Sequence, residues 1–505
     1  MVGQPLFDGV MRLGGWAQAH PWQVMGVMGG IPTLLGTVRL LAGRRRQSSP
    51  TTYGSARWAT SREIKRAGLF ERRGVILGQY GHHYLQHDGP EHVLLIGPTR
   101  SGKGVSTIIP TLLTWRESAL VLDPKDGENY DVTAGWRAQF SDVHRFTPRR
   151  QPSTRMNVLD AVRLGTPMEF GDVQLISESL GAPEKMAREN STSLHFRELA
   201  NLLRATAILH VLYTSIRKSL AGVWDFLTRQ HKSLGECLKA MASTAHRSQG
   251  IHQAITSMTR AIQNITGDRE LSSVWTTTIR PLVLYSDPLV AASTDASDMA
   301  IDDLQYGERP VSLYLIAPSP LELERLHPLY RVILDVAMTR LMEHKVRTWK
   351  YRLLNCFDEL PWYGYTRAVD KGIAVQAGDG QKDLLVVQDL ESLWEVYGAH
   401  TAIWGNCHVK VFHTPDNDLT AKRISENLMG SGTVENPVEQ RSPILATRRS
   451  VSLQHHGRPL MTTDELMDLP ADQEIVRIGG IKPILAQKCD YRTDRNFAAR
   501  LLPVS

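Results

Sequence analysis

Cysteine is scarce in this sequence. Four are spread over 505 residues, at Cys237, Cys356, Cys407 and Cys489, with no Cys-x-x-Cys spacing. That argues against a cysteine metal framework or a disulfide scaffold and fits a reducing compartment. Histidine is commoner, with 18 residues, but the pairs His82-His83 and His455-His456 lack partners at ligand spacing. They read as solvated or core histidines, and no metal held by histidine is expected. Internal repeats and low-complexity segments are missing. So is any basic motif interleaved with aromatics of the RRM or OB kind. The formal net charge is only +6, which suits an anionic partner without demanding one. Hydrophobic residues make up 42% of the chain, ordinary for a globular protein with room for two or three domains.

Long apolar runs are rare too. The one candidate is Pro21 to Val38, eighteen residues without a charge, followed by Arg39 and the cluster Arg44-Arg45-Arg46. Eighteen is near the lower limit for spanning a bilayer. Gly26, Gly29, Gly30, Gly36 and Pro32 weaken the run as a helix, and a buried core helix is the alternative to a membrane span. If it spans, the arginine cluster places the rest of the chain in the cytoplasm.

Against these absences stands Gly97-Pro98-Thr99-Arg100-Ser101-Gly102-Lys103, the Gly-x-x-x-x-Gly-Lys frame of a phosphate-binding loop. It follows the apolar run His92 to Ile96 and precedes Val105 to Ile109, so its setting is strand, loop, helix. Glycines let backbone N–H groups wrap a phosphate, and the helix N-terminus adds partial positive charge. Lys103 would reach the β- and γ-phosphates. The hydroxyl residue that usually follows the lysine and holds Mg²⁺ is Gly104 here, with Ser106 and Thr107 nearby.

A second element lies downstream. Leu353 to Phe357 is a mostly apolar strand ending in Asp358-Glu359. In P-loop ATPases such a strand is expected beside the first. Its Asp fixes the hydration shell of Mg²⁺ and its Glu orients the attacking water. An acid pair placed to use water favours hydrolysis over transfer to a small acceptor. Gln388 ends a neighbouring strand, where its amide would sense the γ-phosphate or cap a loop. Lys125 and Glu128, after the second strand, would face either nucleotide or a central pore.

Strand-like runs at 92–96, 119–122, 311–316, 353–357, 384–387, 408–412 and 474–478 alternate with helical patterns, which predicts an α/β fold with a largely parallel sheet. Between 172 and 300 the pattern is helical throughout, as in the leucines Leu199, Leu202, Leu203, Leu209 and Leu212. The expected division is an anchor and flank at 1–46, a nucleotide-binding domain in two parts at 47–171 and 301–505, and an all-α insertion at 172–300 between them. The clusters Arg44 to Arg46, Arg72-Arg73, Arg149-Arg150 and Arg448-Arg449 are candidate contacts to a DNA backbone or, more simply, solvated faces.

Several segments, in order, resemble the TraG-like coupling proteins of type IV secretion and conjugation systems. They are Tyr53-Gly54-Ser55-Ala56-Arg57-Trp58-Ala59, the loop Gly97 to Val105 with Gly after Lys, Asp123-Pro124-Lys125-Asp126-Gly127-Glu128-Asn129, Val386-Val387-Gln388-Asp389-Leu390, Thr420-Ala421-Lys422-Arg423-Ile424-Ser425 and Arg458-Pro459-Leu460-Met461-Thr462. The resemblance implies a membrane-anchored, RecA-like P-loop ATPase working as a homo-hexamer with ATP and Mg²⁺. Residues 97–105 would cradle the nucleotide, Lys103, Asp358, Glu359 and Gln388 would act in hydrolysis, and Asp358 would serve the metal. The all-α insertion would recognise a relaxase bound to single-stranded DNA, or secreted protein cargo, and hand it to channel components at the bacterial inner membrane.

Two departures accompany the resemblance. Family members usually carry two membrane helices, and here there is one candidate. The usual Gly-Tyr-Gly followed by a basic residue is Gly378-Asp379-Gly380-Gln381-Lys382, where Lys382 would be a weaker sensor of a neighbour's nucleotide because lysine lacks a bidentate fork. Two other readings stay open: a cargo receptor in which ATP controls only assembly, and an FtsK/HerA-type DNA pump. The Tyr53 to Ala59 segment and the helical insertion argue against the pump.

Overall fold

The computed structural model describes residues 54–504 except 186–190, 231–232, 248–249, 266, 344–347 and 441–449. The expected anchor at 1–46 therefore lies outside the described residues, as do Arg44 to Arg46 and Arg448-Arg449. Among the described residues no helix is long and apolar enough to cross a membrane.

The strands are β1 (Val75–Tyr80), β2 (His83–His87), β3 (Val93–Ile96), β4 (Ser118–Asp123), β5 (Asp142–Phe146), β6 (Val311–Ile316), β7 (Leu353–Phe357), β8 (Gln381–Val387), β9 (Val409–Phe412), β10 (Ser431–Gln440), β11 (Ser450–Pro459), β12 (Gln473–Ile478) and β13 (Ile484–Gln487). Eleven form one sheet in the order β2-β1-β13-β12-β9-β3-β8-β7-β4-β6-β5. From β9 to β5 every pairing is parallel. From β2 to β9 every pairing is antiparallel. The sheet is therefore mixed, and its antiparallel flank is more than the sequence predicted.

The parallel strands are apolar on both faces, as sheets covered on both sides require. Leu94, Ile96, Leu120, Leu122, Leu385 and Val387 enter one apolar core. Their neighbours Val93, Leu95, Ala119, Val121, Leu384 and Val386 enter the other. That is the two-residue alternation of a strand. The first core continues without a break into Leu203, Ile208, Leu209, Val223 and Ile255 of the helical region. The second includes Ile64, Leu69, Ile108, Leu112 and Trp115.

From Glu169 to Thr294 the regular elements among the described residues are helical, led by Glu169–Leu180 and Ser191–Thr214. Arg204 is fully buried there and donates to the carbonyls of Ser177 (2.9 Å), Thr277 (3.0 Å) and Thr278 (3.2 Å). A buried guanidinium with carbonyl acceptors satisfies its donors and fixes three segments together.

Ala56–Gly430 with Pro459–Ser505 form one compact unit. Ser431–Arg458 belongs to a second, in which β10 and β11 make a two-stranded sheet and Ser55 bridges Gly432.

Candidate nucleotide site

Five parallel strands, β9, β3, β8, β7 and β4, end at one edge of the sheet, and the chemistry gathers there. β3 runs into the loop 97–102. Arg100 (φ 61°) and Gly102 (φ 90°) both take the left-handed conformation, so the backbone turns sharply enough to present successive N–H groups to one point. Gly97 N–H donates to the Val387 carbonyl at 3.2 Å, which pins the loop to the end of β8. Lys103 opens the following helix. Its first turns, Gly104–Ile108, are widened to i→i+5 bonding before the helix Ile109–Thr114. Pro110 has no N–H to close the usual bond to Ser106, which accounts for the loosened turn.

Lys103 is buried and donates to Gly97 O (2.6 Å) and Pro98 O (3.1 Å), and pairs with Glu359 Oε1 at 3.0 Å. Glu359 itself is left-handed (φ 54°, ψ 52°), a conformation that costs a non-glycine residue about 1–2 kcal/mol. Asp358 Oδ2 accepts from Lys125 Nζ at 3.1 Å. Two lysines and two carboxylates thus alternate in one cluster, of which Lys103, Asp358 and Glu359 are buried and Lys125 is exposed. Burial pushes the Glu359 carboxyl above its usual range, and Lys103 opposes the rise. Burial pulls Lys125 down, but Asp358 and Glu359 outweigh it and hold the ammonium above its ordinary value.

Asp358 Oδ1 and Glu359 Oε2 are buried with no hydrogen-bond partner among the described residues. Buried carboxylate oxygens without donors are costly. A divalent cation with its water shell is a group that would satisfy them, so the donor set fits Mg²⁺. At Gly104 a Cβ would meet nothing within 4 Å, so the missing hydroxyl residue is not a steric exclusion. Ser106 and Thr107 are both buried, their hydroxyl oxygens 3.5 Å apart.

Several expectations need correction. β7 does not lie beside β3; β8 stands between them, parallel to both. The interposed strand brings half-buried Gln388 to the site edge between the loop and the acid pair. Lys382 is not at this edge. It lies toward the start of β8, only 1% exposed, and its ammonium is used by Gly89 O (2.7 Å), Glu91 O (2.6 Å) and His87 Nδ1 (3.1 Å). A lysine so enclosed cannot reach a neighbour's nucleotide. Among the basic clusters, Arg149 pairs with Glu322 at 2.9 Å and Arg150 with Asp126, which leaves Arg72 and Arg73 as the exposed described pair.

Lys125 faces the acid pair, which its place after the second strand left undecided. Asp123, two residues before it, is structural. Its carboxylate accepts from the N–H groups of Asn129 (2.9 Å) and Tyr130 (3.1 Å) at the start of the helix Glu128–Arg137. Burial pushes Asp123 up to about 7. Tyr363, fully buried with its hydroxyl unpartnered among the described residues, and His413, behind the loop, were not foreseen. His413 does carry a signal: it is a polar residue ending an apolar parallel strand, the position where α/β sheets bind ligands.

A glycine loop with a helix-opening lysine, set against buried acids on a strand two places away, defines a P-loop nucleotide-binding protein. Residues 57–505 match the family described as Type IV secretory system Conjugative DNA transfer, and the chain belongs to that family. It is 32% identical to the Conjugal transfer protein TraG of Escherichia coli, over 94% of this chain and 82% of that protein. It is 27% identical to Protein VirD4 of Rhizobium rhizogenes, over 88% of this chain and 66% of the relative. The fold resembles that of the plasmid coupling protein TrwB in complex with ADP and Mg²⁺, with a TM-score of 0.66, 14% identity, and coverage of 86% of this chain and 93% of that one.

Proposed function

We propose that this chain is the ATPase of a type IV secretion coupling complex, anchored in the bacterial inner membrane through residues 1–46 and acting as a homo-hexamer. It recruits a relaxase bound to single-stranded DNA, or a protein cargo, and drives it toward the secretion channel by hydrolysing ATP. The observation that carries this reading is the alternating cluster Lys103–Glu359 and Lys125–Asp358 at the loop.

The cluster explains how binding and hydrolysis are coupled. Lys103 is held by Glu359 and two loop carbonyls. A phosphate in the loop competes for Lys103, and the transfer of that ammonium frees the Glu359 carboxylate to accept a proton from water. Lys125 stays close to the acids and offsets their charge. Mg²⁺, held through Asp358, would supply further charge neutralisation on the phosphates. Gln388, half-buried at the end of the strand between loop and acids, would report the γ-phosphate to both.

The test is ATP turnover by the full chain with Mg²⁺, with and without single-stranded DNA and co-purified cargo. Turnover that rises with DNA or cargo is the expected result. Nucleotide binding without turnover under every condition would reduce the protein to a cargo receptor whose assembly ATP controls. Reporter fusions should place residues after Arg46 in the cytoplasm, where ATP is available.

A further inference from the structure

Behind the phosphate loop lies a second polar group that takes no part in the acid cluster. His413 follows β9, the strand beside β3, and is buried. Its Nδ1 lies 3.0 Å from the Ser101 carbonyl oxygen and 3.1 Å from Ser101 Oγ. Its Nε2 lies 3.0 Å from Oε2 of Glu474, a fully buried residue of β12. Lys488, just after β13, donates to the same Ser101 carbonyl at 2.9 Å. The loop is pressed onto this group: a Cβ at Gly97 would come 2.7 Å from His413 Cβ.

The donor roles follow from chemistry. A carbonyl only accepts, so His413 Nδ1 carries the hydrogen. In a neutral ring Nε2 then accepts, and Glu474 supplies the hydrogen as a neutral acid. Burial acts the same way on both groups, raising the Glu474 carboxyl well above its usual range and lowering His413 well below its own. The chain runs Glu474 O–H to Nε2, then Nδ1–H to Ser101 O, with no net charge. Because the peptide is planar and trans, a Ser101 carbonyl pinned by two donors points the Gly102 N–H the opposite way.

We infer that His413, oriented by Glu474 and assisted by Lys488, is a positioning residue that fixes the Ser101–Gly102 peptide and so pre-shapes the loop for a nucleotide phosphate. This gives the antiparallel flank of the sheet a role at the site, since it carries both Glu474 and Lys488. The inference rests on the nucleotide-binding reading above.

The experiment measures the affinity of the full chain for a fluorescent ADP analogue with Mg²⁺. If the unaltered chain does not bind, the nucleotide reading itself falls. If it binds, His413→Asn and His413→Gln decide the inference. An Asn amide sits where Nδ1 is and can still donate to Ser101 O. A Gln amide sits near Nε2 and cannot, although Gln is closer to His in volume. His413→Asn should bind within about threefold of the parent and His413→Gln at least about tenfold more weakly, the effect of one lost buried hydrogen bond. A packing role predicts the reverse order. Equal affinities, or tighter binding by His413→Gln, overturn the inference. Should either variant lose its thermal unfolding transition, Lys488→Met at its half-buried position takes its place: binding at least about threefold weaker is expected, and unchanged binding overturns the inference.

Discussion

Two lysines are buried at opposite ends of the same sheet in nearly the same way. Lys103 sits on the carbonyls of Gly97 and Pro98, and Lys382 on those of Gly89 and Glu91. The third partner differs. For Lys103 it is the Glu359 carboxylate, whose other oxygen is unsatisfied among the described residues. For Lys382 it is the neutral ring of His87, whose pKa is pushed down to about 4, first by burial and then by Lys382. One ammonium is held by a charge that a phosphate can replace, beside a loop with left-handed residues. The other closes off a strand connection. A buried lysine on carbonyls is therefore not in itself a nucleotide signal; the exchangeable partner makes it one.

Removing that partner should have the largest effect. Glu359→Gln keeps the shape and abolishes the base. Turnover should fall by about 10²–10⁴-fold, the usual contribution of a general base, while nucleotide stays bound. Single-turnover hydrolysis in the presence of oligomer and DNA reads this directly. An unchanged rate removes Glu359 from the mechanism.

The next effect sets the lysines against each other. Lys103→Ala should weaken nucleotide binding by about 100-fold, roughly 2.7 kcal/mol for a charge-assisted phosphate contact. Lys382→Met should leave that affinity within about threefold and instead lower stability by about 1–3 kcal/mol, because buried carbonyls lose their donor. Nucleotide titration and denaturant unfolding of both variants check the contrast. Equal losses of affinity would mean that the two ends of the sheet are coupled through β8.

The loop and the acid pair were legible because each is a local pattern: glycine spacing before a lysine, and an apolar run ending in Asp358-Glu359. The seven strand runs read from the sequence all fall on strands because buried parallel strands are continuously apolar. β2, His83–His87, was missed because it is half-buried and mixes histidines with Tyr84 and Leu85. The pairing of Lys103 with Glu359, and the order that puts β8 between their strands, depend on crossovers that no local pattern encodes. Glu474 left a trace, a charge beside Ile475 and Val476 in an apolar run, but its partner His413 is fixed only by the pairing of β12 with β9. The helical run was visible from its leucines. Its shared core with the sheet was not, and exchange of the block between relatives must carry the facing residues of both.

A smaller effect lies in pH. Burial lowers Lys382 to about 7, whereas a lysine in the unfolded chain titrates near 10.4. Between these values the unfolded chain holds a proton that the folded chain has released, so stability rises with pH across that window. Below pH 7 both states are protonated and the burial cost stands in full. Relative to Lys382→Met, the parent should gain up to about 1.4 kcal/mol per pH unit from pH 7 upward and show no such trend below pH 6. Urea midpoints at pH 6, 7 and 8 measure it. A pH-independent gap would mean that the three acceptors keep the ammonium charged, and the two lysines would then differ only in their partners.

The smallest effect lies one residue beyond Lys103. Gly104 has a backbone conformation open to any residue and free space where a Cβ would stand. Gly104→Ser should therefore fold normally and return the hydroxyl that most phosphate loops use for the metal. One added oxygen ligand contributes about as much as one net hydrogen bond, so the Mg²⁺ concentration at half-maximal nucleotide binding should fall by about threefold to tenfold. Affinity at saturating Mg²⁺ should change by less than about twofold, since Lys103 and the loop amides are untouched. Magnesium titrations monitored by a fluorescent nucleotide separate the two quantities. A lower midpoint would show that the turn after Lys103 faces the metal and that the chain works with one ligand fewer by design. An unchanged midpoint would mean that the widened turn aims position 104 away from the acids.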